Sequence, residues 1–350
     1  MVTPLPTMIN DLLNDPDFAT SIPGKDLLGR PLGFVDVGAR GGVHKVVERI
    51  AGATSVFAFE PDTEECERLK KQMAANSLWA EYTVAPIALA DADGEATLYV
   101  LSSAVNSSLR PPNMEFIKRF AMTGFDVVKQ LPVRTTTLDK VLHSQQNISG
   151  CLGEFIKIDT QGTELEILQG AIQTLEEETV ALLVELEFFE MYQGEALFPE
   201  VEQWLRQRGF SFYGFDLHHR SSKLLNKRHS AGRERTYFAD VNFFKDPLSG
   251  GLWKKKMSPR SLHTLFACAL LLEYHDFALQ LALETRATGD EAERLRRLVQ
   301  HEAARRAANA QADVLALAER VRANPGRSNV EVGKFVDARR HLTDYDDIRD

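Results

Sequence analysis

The sequence predicts a doubly wound α/β domain, with a mostly parallel seven-stranded sheet, an antiparallel last strand and a helical C-terminal extension. Three observations predict it. From Gly33 onward, short β-branched and apolar runs alternate with amphipathic stretches, the mark of βαβ units. Two of those runs pass through an acid into a glycine turn, at Asp36-Val37-Gly38 and at Asp159-Thr160-Gln161-Gly162. The last two runs, residues 210–217 and 237–245, have no helix between them, which makes the final strand antiparallel.

In chain order, residues 1–30 are a lead-in with a short helix over 8–13, residues 31–247 the sheet domain and residues 248–350 the extension. The first strand, 33–37, ends in the loop Gly38-Ala39-Arg40-Gly41-Gly42 and a helix over 43–50 follows. A second strand, 55–60, stops at Glu60-Pro61-Asp62, where Pro61 suits the first turn of a helix reaching Asn76. A third strand lies near 79–86. Asp93-Gly94 signals a turn, and 95–101 is an extra hairpin strand. A polar loop at 102–113 and a helix at 114–123 precede an extended segment at 133–137 and a short helix at 138–143.

Strand 154–158 then leads into a helix over 164–175. Residues 180–186 are nearly all apolar, as in a strand buried on both faces. The helix at 198–208 is stopped by Gly209. Beyond Pro247, residues 261–286 and 290–322 carry Ala, Leu, Glu and Arg at helical spacing, and Asp290 with Glu293 resembles a capping box. Pro325-Gly326 ends the second of these helices, and the last 25 residues are polar and expected to be loosely ordered.

Composition narrows the function. The chain has 350 residues, is 44% hydrophobic and 26% charged, and carries a net charge of -9, which argues against a non-specific grip on nucleic acid. Cys66, Cys151 and Cys268 are scattered, with neither metal-ligand nor disulfide-framework spacing. No secretory signal and no membrane span are expected, so the expected location is cytoplasmic.

The glycine loop and the acid after the next strand form the strongest local signal. Glycine lets a ligand approach the backbone and exposes its N–H groups. Glu60, placed 24 residues after Asp36, is positioned to accept hydrogen bonds from both hydroxyls of a ribose. A dinucleotide would need G-x-G-x-x-G and a helix N-terminus free of negative charge. Here the pattern is G-x-x-G-G, with Asp36 two positions before the first glycine. That acid would repel a pyrophosphate but suits the ammonium and sulfonium of S-adenosylmethionine. Asp159, at the end of its own strand, points at the same crevice.

At these residues the chain resembles the FkbM family of S-adenosylmethionine-dependent methyltransferases. The resemblance rests on six ordered motifs: Phe34-Val35-Asp36-Val37-Gly38-Ala39, Phe59-Glu60-Pro61, Ile87-Ala88-Leu89-Ala90-Asp91, Asn106-Ser107-Ser108-Leu109, Thr136-Thr137-Leu138-Asp139 and Lys157-Ile158-Asp159-Thr160-Gln161-Gly162-Thr163-Glu164. It implies a Rossmann-like class I methyltransferase fold and methylation of a hydroxyl oxygen on a small molecule, sugar or glycan. It places Asp36, Gly38, Arg40, Gly41, Glu60 and Pro61 in the cofactor site, with Ala88 and the rest of 87–91 near the adenine. Asn106, Ser107, Ser108 and Asp159 would approach the methionine end or the acceptor. Arg40 stands where the family commonly has Asn, and Thr160-Gln161 where Val-Glu is frequent.

An alcohol is a poor nucleophile until its proton leaves, so a general base is expected. The candidates are Asp159, Glu185 and Glu187 near strand ends, and His218 or His219 in the loop between the last two strands. Asp159 as a plain helix N-cap is the structural alternative. Lys157 reads as structural and His44 as incidental. Two other functions stay open: a non-catalytic cofactor-binding protein that recruits partners through its helical tail, and an NAD-dependent dehydrogenase. The tail helices show an apolar face at Leu262, Leu265, Ala269 and Leu272, which suits packing on the sheet domain, homo-oligomer formation or docking of a partner enzyme.

Overall fold

A computed structural model describes residues 9–75, 78–144, 152–226, 232–284, 289–307 and 310–339. Met8, Asn76, Cys151, Arg286 and residues 340–350, on which some sequence expectations fall, lie outside the described residues.

The strands are β1 (Leu32–Val37), β2 (Thr54–Phe59), β3 (Glu81–Ala85), β4 (Ala88–Leu89), β5 (Gly94–Leu101), β6 (Val127–Thr136), β7 (Phe155–Ile158), β8 (Ala181–Glu187), β9 (Ser211–Arg220) and β10 (Arg235–Phe244). Seven of them form one sheet in the order β3-β2-β1-β7-β8-β10-β9. All its pairings are parallel except those of β10, which runs antiparallel to both β8 and β9. The doubly wound sheet with its antiparallel last strand is therefore as the sequence predicts. β1 and β2 are buried at all six positions, which is why they read as continuous apolar runs. Strand order reverses between β1 and β7, so the loops leaving these two strands open a crevice at the carboxyl edge.

Several local expectations are corrected. Residues 45–53 form a 3-10 helix, opened by His44, whose Nδ1 accepts the Val46 N–H at 3.3 Å. The single helix expected over 164–175 is two, Glu164–Gln169 and Ile172–Glu177. They break at Gly170, where a Cβ would sit 2.1 Å from the Ala90 carbonyl oxygen. β5 pairs with β6, and β4, β6 and β5 make a second, three-stranded sheet. β6 begins well before the expected 133, because Val127, Val128, Lys129 and Gln130 are exposed and carry no apolar alternation to read. The helix expected over 261–286 is Pro259–Leu271 and His275–Glu284, turned at Glu273 with a φ of 67°. Residues Ser328–Arg339, expected to be loosely ordered, are helical.

Both faces of the sheet are covered. On one, Val35, Val37, Ile156, Ile158, Leu182 and Val184 share a core with Leu138, Ile167, Leu175, Val201 and Leu205 of the intervening helices. On the other, Phe34, Phe155, Val180 and Phe244 share a core with Leu265–Leu271, Phe277, Leu281 and Leu298. The helices after Pro247 thus pack on the sheet itself. An ion pair reinforces this contact: Arg260 Nε and Nη2 each lie 2.7 Å from a Glu154 oxygen, and Gly33 of β1 donates its N–H to the same carboxylate at 2.9 Å. No helix among the described residues is long and apolar enough to cross a membrane.

Candidate functional site

The crevice between the β1 and β7 loops holds a cavity lined by Gly38, Arg40, Glu60, Pro61, Ala88, Ser107, Ser108 and Asp159, with Ile87, Leu89 and Thr160 among its other walls. Gly38 has a φ of 80°, and a Cβ there would lie 1.9 Å from the Asp159 carbonyl oxygen. Only glycine lets the two loops approach so closely. The Gly38 and Ala39 N–H groups both donate to the Phe59 carbonyl, at 3.1 and 3.2 Å, which ties the loop to the end of β2.

Glu60 follows β2 and is 4% exposed. Its Oε1 accepts the Asp62 N–H at 2.8 Å and lies 3.5 Å from Arg40 Nη2, which holds Asp62 Oδ2 at 2.8 Å. Glu60 Oε2 takes no hydrogen bond among the described residues. Burial raises the Glu60 pKa, and the Arg40 charge works in the opposite direction.

Three residues expected at the ligand do not line the cavity. Asp36 is fully buried beneath the glycine loop, where its Oδ2 accepts the His44 N–H at 2.8 Å and its Oδ1 lies 3.3 Å from Lys157 Nζ. It faces away because strand alternation puts its side chain on the same sheet face as Phe34. Gly41 gives its N–H to Glu65 Oε1 at 2.9 Å instead of opening toward the cavity. Asn106 turns its amide to the Gly124 carbonyl at 3.2 Å. The backbone N–H of His44, which any residue but proline would supply, ties the loop to Asp36.

The β7 turn holds the second carboxylate. Asp159 is not the cap of the helix that follows: that position is Thr163, and the free amides of Thr160 and Gly162 are taken by the Glu164 carboxylate at 2.9 Å. Asp159 Oδ2 lies 3.5 Å from Lys157 Nζ, and its Oδ1 accepts from Gln161 Nε2 at 2.8 Å. Burial alone would lower the Lys157 pKa, but Asp36 and Asp159 more than offset it and hold that ammonium charged. Gln161, at a φ of 63°, also donates from Nε2 to Glu185 Oε1 at 2.7 Å, while its Oε1 lies 2.8 Å from the Tyr192 hydroxyl. Both Nε2 protons are thereby used on carboxylates, which fixes the amide orientation. Ser108 donates to the Gln161 carbonyl at 2.6 Å and so anchors the 102–109 loop to this turn.

The remaining base candidates sit apart from the cavity wall. Glu187 is 1% exposed, with neither carboxylate oxygen hydrogen-bonded among the described residues. Burial, then the charges of Glu164 and Glu195, push its pKa well up from the usual carboxylate range. Glu185 is raised by burial and by Asp159, yet stays linked to Asp159 through Gln161. His218 and His219 belong to β9 and not to a loop; the His218 ring stacks on Phe238 at 4.1 Å, with Nε2 3.4 Å from Asp240 Oδ2.

Glu195 shares the buried acidic cluster and is pushed up to about 8, first by burial. A carboxyl whose folded pKa lies above its unfolded value stabilises fully below the unfolded pKa, and that stability is lost as pH rises through the folded one. The melting temperature is therefore expected to fall between about pH 5 and pH 9, and Glu195→Gln to flatten the fall. Melting curves across that range check this, and equal slopes for both proteins would count against it.

The sequence reading missed Gln161 as a bridge and Tyr192 as its partner. Gln161 carried a signal, the departure at Thr160-Gln161; Tyr192 carried none, being 31 residues away along the chain.

The Methyltransferase FkbM domain model matches residues 36–212, just over half of the chain. No curated protein matches the sequence. Among solved structures, the chain is similar to a methyltransferase FkbM from Methylobacillus flagellatus KT, at 14% identity and a TM-score of 0.37, over 61% of this chain and 43% of that one. The chain therefore spans less than half the length of that relative. It is also similar to Sp1610 of Streptococcus pneumoniae, a candidate tRNA (m1A22) methyltransferase, at 11% identity and a TM-score of 0.32, over 81% of this chain and 97% of that one.

Proposed function

The chain belongs to the FkbM family of methyltransferases, and from that premise we propose that it moves a methyl group from S-adenosylmethionine to a hydroxyl oxygen of a sugar, glycan or secondary metabolite. The observation that supports this reading is the pair Glu60 and Asp159, carried by different strands onto the wall of one cavity. We place the methyltransferase unit at residues 31–247, flanked by the lead-in and the helical extension, in a cytoplasmic protein.

The residues present fit the cofactor. Gly38 lines the cavity with no side chain to obstruct a ligand, and Glu60 has a second oxygen without a hydrogen bond among the described residues, for a ribose whose two hydroxyls need two acceptors. Ile87, Ala88 and Leu89 offer an apolar wall for an adenine, with Arg40 and Pro61 closing the ribose side. When bound, S-adenosylmethionine supplies a methyl carbon made electrophilic by its sulfonium.

The protein's part is alignment and proton removal. Holding the acceptor oxygen in line with the methyl carbon supplies about 7–11 kcal/mol. Asp159 is the cavity carboxylate available to take the hydroxyl proton, with Lys157 Nζ 3.5 Å away and the Gln161 amide aiming it. Ser107 and Ser108 border the same space for the acceptor.

Glu60→Ala removes charge-assisted hydrogen bonds of about 1.5–3 kcal/mol each, so affinity for S-adenosylmethionine should fall roughly tenfold or more. Because the Glu60 pKa is raised, wild-type affinity should also weaken on acidification sooner than for an ordinary carboxylate. Calorimetric titration with S-adenosylmethionine and S-adenosylhomocysteine tests both. An unchanged affinity in the variant would remove Glu60 from the site. Binding with no turnover on any hydroxyl acceptor would favour a non-catalytic cofactor-binding protein.

A further inference from the structure

Three arginines gather at the carboxyl edge of the sheet with no carboxylate ion-paired to them among the described residues. Arg220 ends β9 and Arg235 begins β10, and the two are directly opposite across the strand pair. Like charges in that position repel, so another interaction has to favour keeping them. Arg119, on the helix Met114–Arg119, is the third. Each lies against an aromatic ring: Arg235 Cζ is 3.1 Å from the Phe189 centroid and 5.9 Å from that of Phe120, Arg119 is 5.3 Å from Phe120, and Arg220 is 6.0 Å from Tyr237. A guanidinium held by its face, as Arg235 is over Phe189, keeps its in-plane N–H fork for an acceptor with two oxygens, whereas Arg220 also hydrogen-bonds the Tyr237 side chain. Arg220 Nε is itself buried without a hydrogen-bond partner among the described residues.

The position matters as much as the chemistry. β10 runs antiparallel to β8, with Phe238 opposite Glu187, so Arg235 stands beyond the end of β8, on the same edge as Gly38, Glu60 and Asp159. Arg119 belongs to the excursion between β5 and β6 whose Ser107-Ser108 stretch borders the cavity. Lys223, from the β9–β10 connection, donates to the Ala121 carbonyl at 3.1 Å and so joins the two walls.

We infer that Arg119, Arg220 and Arg235 form an anion site beside the cavity, and that the acceptor is an acidic sugar or glycan held there by a phosphoryl or carboxylate group. The chain's overall acidity is no obstacle, because the site is local. This inference rests on the methyl-transfer reading for its acceptor, and on the arginines alone for its anion.

The test is calorimetric titration of the full chain with inorganic pyrophosphate, with glucuronate and with neutral glucose, alongside S-adenosylhomocysteine. One of the two anions is expected to bind and glucose is not; which anion binds names the group. Arg220→Gln with Arg235→Gln should weaken that anion tenfold or more, and Arg235→Lys, which keeps the charge but loses the fork, by less. S-adenosylhomocysteine affinity should not change in either variant, which also shows that they fold. Absence of binding by both anions, or unchanged anion affinity in the double variant, overturns the inference. Loss of S-adenosylhomocysteine binding in the wild type would overturn the methyl-transfer reading and the acceptor assignment with it, while arginine-dependent anion binding would still mark the site.

Discussion

Asp159→Asn is expected to lower turnover by about 10²–10⁴-fold, the range for losing a positioned general base. The substitution keeps the shape of the side chain and its hydrogen bond from Gln161, so the turn should stay in place. Lys157 keeps Asp36 as its closer carboxylate, at 3.3 Å against 3.5 Å for Asp159, and its buried charge stays compensated. Stability should therefore change far less than rate. Initial rates with a labelled methyl donor, run beside thermal melts, separate the two. Normal turnover would leave Asp159 only a structural partner of Lys157 and Gln161. A loss confined to S-adenosylmethionine affinity would assign it to holding the cofactor ammonium.

Arg260→Ala is expected to destabilise the fold by about 3 kcal/mol, since it strips the closer partner from a buried carboxylate and leaves it only the more exposed Arg30, at 3.7 Å. Glu154 is 4% exposed and is held by both arms of Arg260, with Thr264 at 3.3 Å and the Gly33 N–H adding to the cradle. The arginine also donates to the carbonyls of Arg30 and Pro31, at 2.8 and 3.1 Å, so one side chain joins the lead-in, β1, the residue before β7 and the first helix of the extension. Replacing the pair together, as Arg260→Met with Glu154→Leu, should cost much less, because no buried charge is left alone. Urea denaturation of the single and double variants measures both. A single variant within about 1 kcal/mol of wild type would show that the apolar contacts at Leu265–Leu271 hold the extension without it.

Most of the sheet was legible along the chain because its signals are local. β1, β2, β7 and β8 are buried on both faces and read as apolar runs, and the glycine loop announces the turn after β1. β6 was half invisible, since its first residues are exposed and polar. The break at Gly170 was hidden for a different reason: it answers to the Ala90 carbonyl, which no window around residue 170 contains.

The candidate site divides along the same line. Glu60, Gly38 and Asp159 could be named from the sequence, because an acid or a glycine at a strand end lands in the crevice whatever else the chain does. Asp36 could be named but not aimed. Its place on β1 follows from the pattern, yet its neutralisation by Lys157 needs β7 beside β1, and only strand pairing across about 120 residues provides that.

By itself, then, the sequence determined the fold class, the antiparallel last strand and the carboxylates of the crevice, all set by residue type at fixed local spacing. Tertiary structure alone decided that Glu187 is a buried carboxyl away from the cavity wall, that Gln161 links Asp159 to Glu185 and Tyr192, and that the helices after Pro247 share a core with the sheet. Each of these depends on a neighbour distant in sequence. Burial and Coulomb interaction follow distance through space, and local spacing does not encode that distance.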